Sequence, residues 1–280
     1  MMANEAQETY WSSPAGLKWI EHERALDAAM AGMLETMLDA ADIAKPDRIL
    51  DIGCGTGAST LAAARRAPDG ESFGIDISRP LLERAEIRAR EIGVENASFL
   101  LADAQTHPFP KGAFDILISR IGMSFFSDSV AAFENLTKAL KAGGRMAFVC
   151  WAAVSENPWF LIPKKAAEDR LGPLHETEPT SPGPTAFQDI DHVAGLMKKA
   201  GLSNIRADRT EVMLTPPDGV RGAARAASRV GPAARIMKVY GGDEADETAI
   251  EECVRGEFMP FDRDGDVRVP AVINLFTCST

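Results

Sequence analysis

The sequence predicts an α/β protein built on a doubly wound, mostly parallel sheet. Two observations carry that expectation. Five short apolar runs, "RILDI" (48–52), "SFGIDI" (72–77), "ASFLLAD" (97–103), "FDILISR" (114–120) and "RMAFVCW" (145–151), each have the length and β-branched or aromatic content of a strand. Segments of helical periodicity separate most of them, and alternating β and α segments read as a parallel sheet covered on both faces. In chain order, Leu17, Ile20, Leu26, Met30, Met33, Leu34, Met37 and Leu38 recur largely at helical spacing. They predict one or two amphipathic helices, a cover over residues 1–45 that ends before "AKPDR", with Tyr10 and Trp11 ahead of the first helix. The core spans 46–152. Within it a helix after Asp76 has Ser78 as N-cap, Pro80 in its first turn, apolar residues at Leu81, Ala85, Ala89 and Ile92, and a stop at Gly93. Another places Val130, Phe133 and Leu140 on one face before Gly143. Residues 153–187 break the pattern with proline and polar residues and predict a lid insertion holding one short helix. A helix at "DIDHVAGLMKKA" and a strand at "NIRADRTEVML" follow, so that 188–214 and 267–280 complete the sheet around a second lid insertion, 215–266. "VRVPAVINLFTCST" predicts an antiparallel edge strand, where Pro270 costs no ladder bond.

Composition narrows the function classes. The 280 residues carry a formal charge of −11, which works against nucleic-acid backbones as partners. No apolar run is long enough to span a bilayer, so no membrane insertion is expected. The amino-terminal stretch lacks a basic and an apolar signal region. The four cysteines, Cys54, Cys150, Cys253 and Cys278, show neither metal spacing nor a disulfide pattern. A cytoplasmic protein with no metal follows as the expectation, and a homo-oligomer is compatible with it. "DRDGD" (262–266) lacks the spacing of a calcium loop and reads as a turn.

The chemistry is concentrated in "ILDIGCGTGAST" (49–60). Gly53, Gly55 and Gly57, followed by Ala58, satisfy a dinucleotide fingerprint, but a lone match is a weak signal. Asp51 stands two positions before Gly53, where a pyrophosphate would meet a carboxylate at an electrostatic cost and a cationic ligand would gain. S-adenosylmethionine (SAM) is such a ligand, with an ammonium that Asp51 can support. Asp76, at the end of the second run, is placed for a ribose diol. Asp103 and the Ala104 N–H, after the third, are placed for an adenine edge. Any one of these acids alone is as well explained by capping or loop satisfaction; three strand ends bearing one acid each are not.

Together, "LDIGCGTG", "GIDIS", "LADAQ", "FDILISR" and "LKAGGRMAF" resemble the motif series of class I SAM-dependent methyltransferases, in particular the branch similar to the ubiquinone/menaquinone-biosynthesis C-methyltransferases. The resemblance covers roughly residues 46–152. It implies a Rossmann-like seven-stranded sheet with a reversed last strand. It also implies a cofactor site in which Asp51, Gly53, Cys54, Gly55 and Gly57 form the first motif, Asp76 and Ile77 the ribose end, Asp103 and Ala104 the adenine end, and Ser119 the methionine end. The product would be S-adenosylhomocysteine. After the fourth run the chain reads "SRIGMSFF" instead of the Asn/Asp-Pro-Pro-aromatic tetrad of many nucleic-acid and protein N-methylating relatives, which points to a small, partly apolar acceptor methylated on oxygen or carbon.

Transfer from SAM mainly requires alignment of the acceptor and exclusion of water. His107 is the candidate base for a phenol or acidic carbon, set against a plain loop role. Arg120 is the candidate for binding a substrate carboxylate or enolate, set against an ion pair with a local acid. Trp11, Phe125, Phe126, Trp151 and Trp159 are placed to line the acceptor pocket, each being equally at home in a core. A catalytically silent SAM-binding regulator and a nicotinamide-dependent oxidoreductase are the alternative readings.

Overall fold

The computed structural model describes residues 3–174 and 178–280. Four helices open the chain: α1 (Glu5–Trp11), α2 (Pro14–Glu21), α3 (Glu23–Ala29) and α4 (Ala31–Ala41). The core follows as β1 (Arg48–Ile52), α5 (Ala58–Arg66), β2 (Glu71–Asp76), α6 (Arg79–Glu91), β3 (Ala97–Leu101), β4 (Phe114–Arg120), α7 (Ser129–Ala139) and β5 (Leu140–Trp151). Next come α8 (Pro158–Leu171), α9 (Ile190–Lys199), β6 (Ser203–Leu214), α10 (Gly219–Ser228), α11 (Gly231–Tyr240), α12 (Glu244–Phe258), the hairpin β7 (Asp262–Arg263) and β8 (Asp266–Val267), and β9 (Val269–Ser279).

Seven strands form one sheet in the order β3-β2-β1-β4-β5-β9-β6, with β9 antiparallel to both neighbours. β1 and β4 lie at its centre, buried on both faces, which is why they read as continuous apolar runs. The last strand is therefore not the edge that the sequence predicts. It is inserted between β5 and β6, and β6 forms the edge. Pro270 escapes the conflict because β5 pairs with β9 only from Ile273 onward, leaving Pro270 opposite Met213 of β6 alone.

The cover also differs from expectation. Met30 sits between α3 and α4 at φ −96°, ψ 16°, outside helical geometry, and Tyr10 and Trp11 lie inside α1, not ahead of the first helix. Leu17 is exposed, whereas Met33, Met37 and Leu38 of α4 are buried against the sheet. An 11-residue helix such as α4 is marginal alone. Burial of those side chains, each about 1.5–3 kcal/mol, is what holds it. Helices α8, α10, α11 and α12 pack on one another above the carboxyl ends of the strands. "DRDGD" makes the hairpin turn, with Asp264 and Gly265 at positive φ and the Gly265 N–H donating to Asp262. Asn157, at the start of α8, exchanges hydrogen bonds with Val272 of β9, and Asn274 donates to the carbonyls of Phe187 and Gln188. Both ends of the 155–187 excursion are thereby pinned to β9.

Candidate active site

Because β1 to β4 run parallel, their carboxyl ends deliver the loops that follow them to one rim. The loop after β1 takes left-handed backbone at Gly53 (φ 64°), Gly55 (φ 54°) and Gly57 (φ 85°). A Cβ on Gly53 would lie 2.8 Å from the Cα of Gly122, so the turns after β1 and β4 touch backbone to backbone. A Cβ on Gly55 would meet nothing within 4 Å.

Asp76 ties this loop down. One carboxylate oxygen accepts the Gly55 N–H and the other the Ser78 N–H, both at 2.8 Å, and the Ile77 N–H also acts on the carboxylate, which leaves it acceptor capacity for one more donor. Burial pushes the Asp76 carboxyl upward, against those backbone bonds. Ser78 is the N-cap residue of α6, as the sequence predicts, but its hydroxyl makes no capping bond; it donates to the Trp11 carbonyl and so holds α1.

Asp103 is buried and already engaged. Its Oδ1 accepts from Asn4 Nδ2 (2.9 Å) and the Gln105 N–H (3.0 Å), and its Oδ2 accepts the Asn4 N–H (3.1 Å). Asn4 also donates to Gln105 and accepts the Ser127 N–H at 2.7 Å. One residue ahead of α1 thus stitches the loops after β3 and β4 together. Asp103 retains one acceptor position, on Oδ2.

Asp51 lies beneath the glycine loop, fully buried and off the cleft wall. Its Oδ2 accepts the hydroxyls of Ser59 and Thr60 at 2.6 Å, while Oδ1 has no partner among the described residues. Burial pushes its carboxyl up to about 6, opposed by the two hydroxyls and then by the charge of Arg120. Ser119 is likewise buried, donating to the Ile52 carbonyl at 2.7 Å and not facing the cleft. The Cys54 thiol is driven well above its ordinary range by burial and is no nucleophile.

These loops floor a cleft of about 2100 Å³. Gly53, Cys54, Gly55, Asp76 and Ile77 line it, as do Asp103, Ala104 and Arg120. Its apolar wall includes Trp11, Phe125 and Phe126, with Trp11 edge-on to Phe125 at 5.5 Å, and Trp151 and Trp159, both nearly buried. His107 does not line it. A turn from Asp103 to His107 swings that ring onto Phe109 at 4.8 Å, so its position does not suit the base predicted for it.

Several residues of the site escape sequence reasoning. Asn4 and Gln105 are ordinary polar residues in the sequence, Trp19 joins the wall, and Asp27, at 3.1 Å from Arg120, comes from α3. Only Ser59 and Thr60 left a signal, as small polar residues in the first turn after the glycine loop.

The model of a methyltransferase domain matches residues 43–182, half of the chain. The chain belongs to that family, and its fold is that of the class I SAM-dependent methyltransferases. It is 39% identical over 111 residues to the aklanonic acid methyltransferase DauC of Streptomyces sp. (strain C5), covering 38% of this chain and 50% of that one. It is also 39% identical over 132 residues to the demethylmenaquinone methyltransferase of Thermus thermophilus, covering 47% and 53%. The chain thus spans about half the length of these curated relatives. The solved structure of the YcgJ protein of Bacillus subtilis, 21% identical, superposes with a TM-score of 0.56 over 88% of this chain and 97% of that one, a likeness of fold. Among the described residues, no helix is long and apolar enough to cross a membrane.

Proposed function

We propose that the protein transfers a methyl group from SAM to a small, partly apolar organic acceptor, on oxygen or carbon. The observation that carries this reading is Asp76, whose carboxylate lines the cleft floor, holds the loop N–H groups of Gly55, Ile77 and Ser78, and keeps acceptor capacity for one more donor. The residues present fit the cofactor. Gly55 leaves open space above a left-handed backbone, Asp76 can take a ribose diol, and Asp103 has one acceptor position for an adenine amine. SAM supplies an electrophilic methyl on a good leaving group. What the chain supplies is position and dryness: the glycine loop fixes one wall, the aromatic wall holds an apolar acceptor, and the α8 and α10–α12 cluster closes the cleft from water as a lid.

A volume of about 2100 Å³ exceeds the usual 300–1,000 Å³ of a single-ligand pocket, which supports cofactor and acceptor side by side. The names of the two curated relatives, one for aklanonic acid and one for demethylmenaquinone, support an organic acceptor. We place the protein in the cytoplasm, consistent with four cysteines that are all free thiols. His107 is assigned no proton transfer.

Titration calorimetry with S-adenosylhomocysteine and with NADH tests the reading. Binding of the first and not the second is expected; the reverse would return the glycine loop to a nicotinamide. Asp76→Ala should weaken S-adenosylhomocysteine by about 1.5–3 kcal/mol, the loss of a hydrogen bond to a charged group. Unchanged affinity would remove Asp76 from the site.

A further inference from the structure

Arg120 is the last residue of β4, and its side chain is only 7% exposed. Nη2 pairs with Asp27 Oδ1 at 3.1 Å, but Nη1 is buried without a partner among the described residues, in a side chain that lines the cleft. The acids nearby are already committed elsewhere. Asp27 Oδ2 takes Arg88 at 2.7 Å, and Glu23 holds Arg84 through both carboxylate oxygens, with Arg88 at 3.9 Å. Asp51 leaves the sheet on the same face, since it is in register with Ile118, two residues before Arg120. Its free Oδ1 and the free Nη1 nevertheless make no bond with each other. A buried guanidinium with half its fork idle is a donor without its acceptor, and the fork matches a carboxylate oxygen better than any neutral group.

We propose that Arg120 is a carboxylate receptor of the cleft, its free Nη1 binding an oxygen of a ligand acid. The inference rests on the methyl-transfer reading for the two ligands that could bring one: the amino-acid tail of the cofactor, or an acid group on the acceptor. Asp27 and the Arg88 and Glu23 behind it hold the guanidinium in place, so the receptor is preset by α3 and α6.

The test compares matched ligands on the full chain by calorimetry. One pair is S-adenosylhomocysteine and 5′-methylthioadenosine, which share the adenosine but not the carboxylate. The other is 1-naphthoate and its methyl ester. Arg120→Lys keeps a cation for Asp27 but loses the fork. It is expected to weaken the acid member of one pair roughly ten- to hundredfold and to leave its carboxylate-free counterpart unchanged. The pair that responds names the source. Asp27→Asn, which removes the support and spares Nη1, should preserve the preference for the acid. Equal weakening of both members of each pair would mean a purely structural arginine and overturn the proposal, as would no change in either. Should the wild-type chain bind neither adenosine ligand, the cofactor reading fails, and the naphthoate pair still decides whether Arg120 reads acids.

Discussion

Gly53 and Gly55 share a left-handed backbone but not the same surroundings, and the difference separates a structural role from a binding one. Gly53→Ala must place a methyl 2.8 Å from the Gly122 Cα, whereas Gly55→Ala points one into open space. Both should lose about 1–2 kcal/mol to backbone strain. Gly53→Ala should lose more, while Gly55→Ala should fall more in S-adenosylhomocysteine affinity than in denaturant midpoint. Asp51 sets a pH dependence. Its folded carboxyl titrates near 6 and its unfolded one near 3.8. Between these values the folded protein keeps a proton that the unfolded chain has lost. This contribution is therefore full below about pH 4 and lost as pH rises through 6, on the order of 3 kcal/mol. Asp51→Asn, which carries no charge to bury, should lose less stability between pH 5 and pH 8 than the wild type, as urea titrations at the two values would show. The three strand-end acids were legible because a strand's end is a local signal. Asn4 was not, because its partner Asp103 is 99 residues away.

Secondary elements were legible to the extent that their periodicity was their own. The central strands and α6 follow from runs and punctuation, whereas α1 is a short helix with no buried residue, held by contacts at its two ends. Those contacts are Asn4 on Asp103, Gln105 and Ser127, and the Trp11 carbonyl on Ser78. Asn4→Ala should cost about 1–3 kcal/mol for the acceptors it leaves unpaired. Amide exchange should quicken in α1 and at Ser127 while β1 and β4 stay protected; uniform exchange changes would show that the hook is incidental. The excursion after β5 shows the opposite failure. Proline and polar residues suggested one short helix, yet α8 runs 14 residues with Pro163 inside it, because Trp159, Phe160 and Ala167 are buried among neighbouring helices. Tertiary burial overrode local composition.

At the scale of the molecule, the sheet was legible and its order on one side was not. Parallel strands buried on both faces announce themselves as apolar runs, but nothing in "VPAVINLF" says which neighbours it will have. The cleft was legible at its floor, where each loop follows a strand, and obscure at its roof, where residues from α1, α8 and α11 meet only in three dimensions. The placing of β9 also fixes an order of events. As the chain leaves the ribosome, β5 presents an open flank and β6 has no sheet to join until residues 269–279 emerge. The segment 215–266, whose α11 and α12 supply residues to the cleft wall, is made during that wait. A nascent chain therefore holds an unfilled slot in its largest sheet, a template for a neighbouring strand, until residues 269–279 fill it.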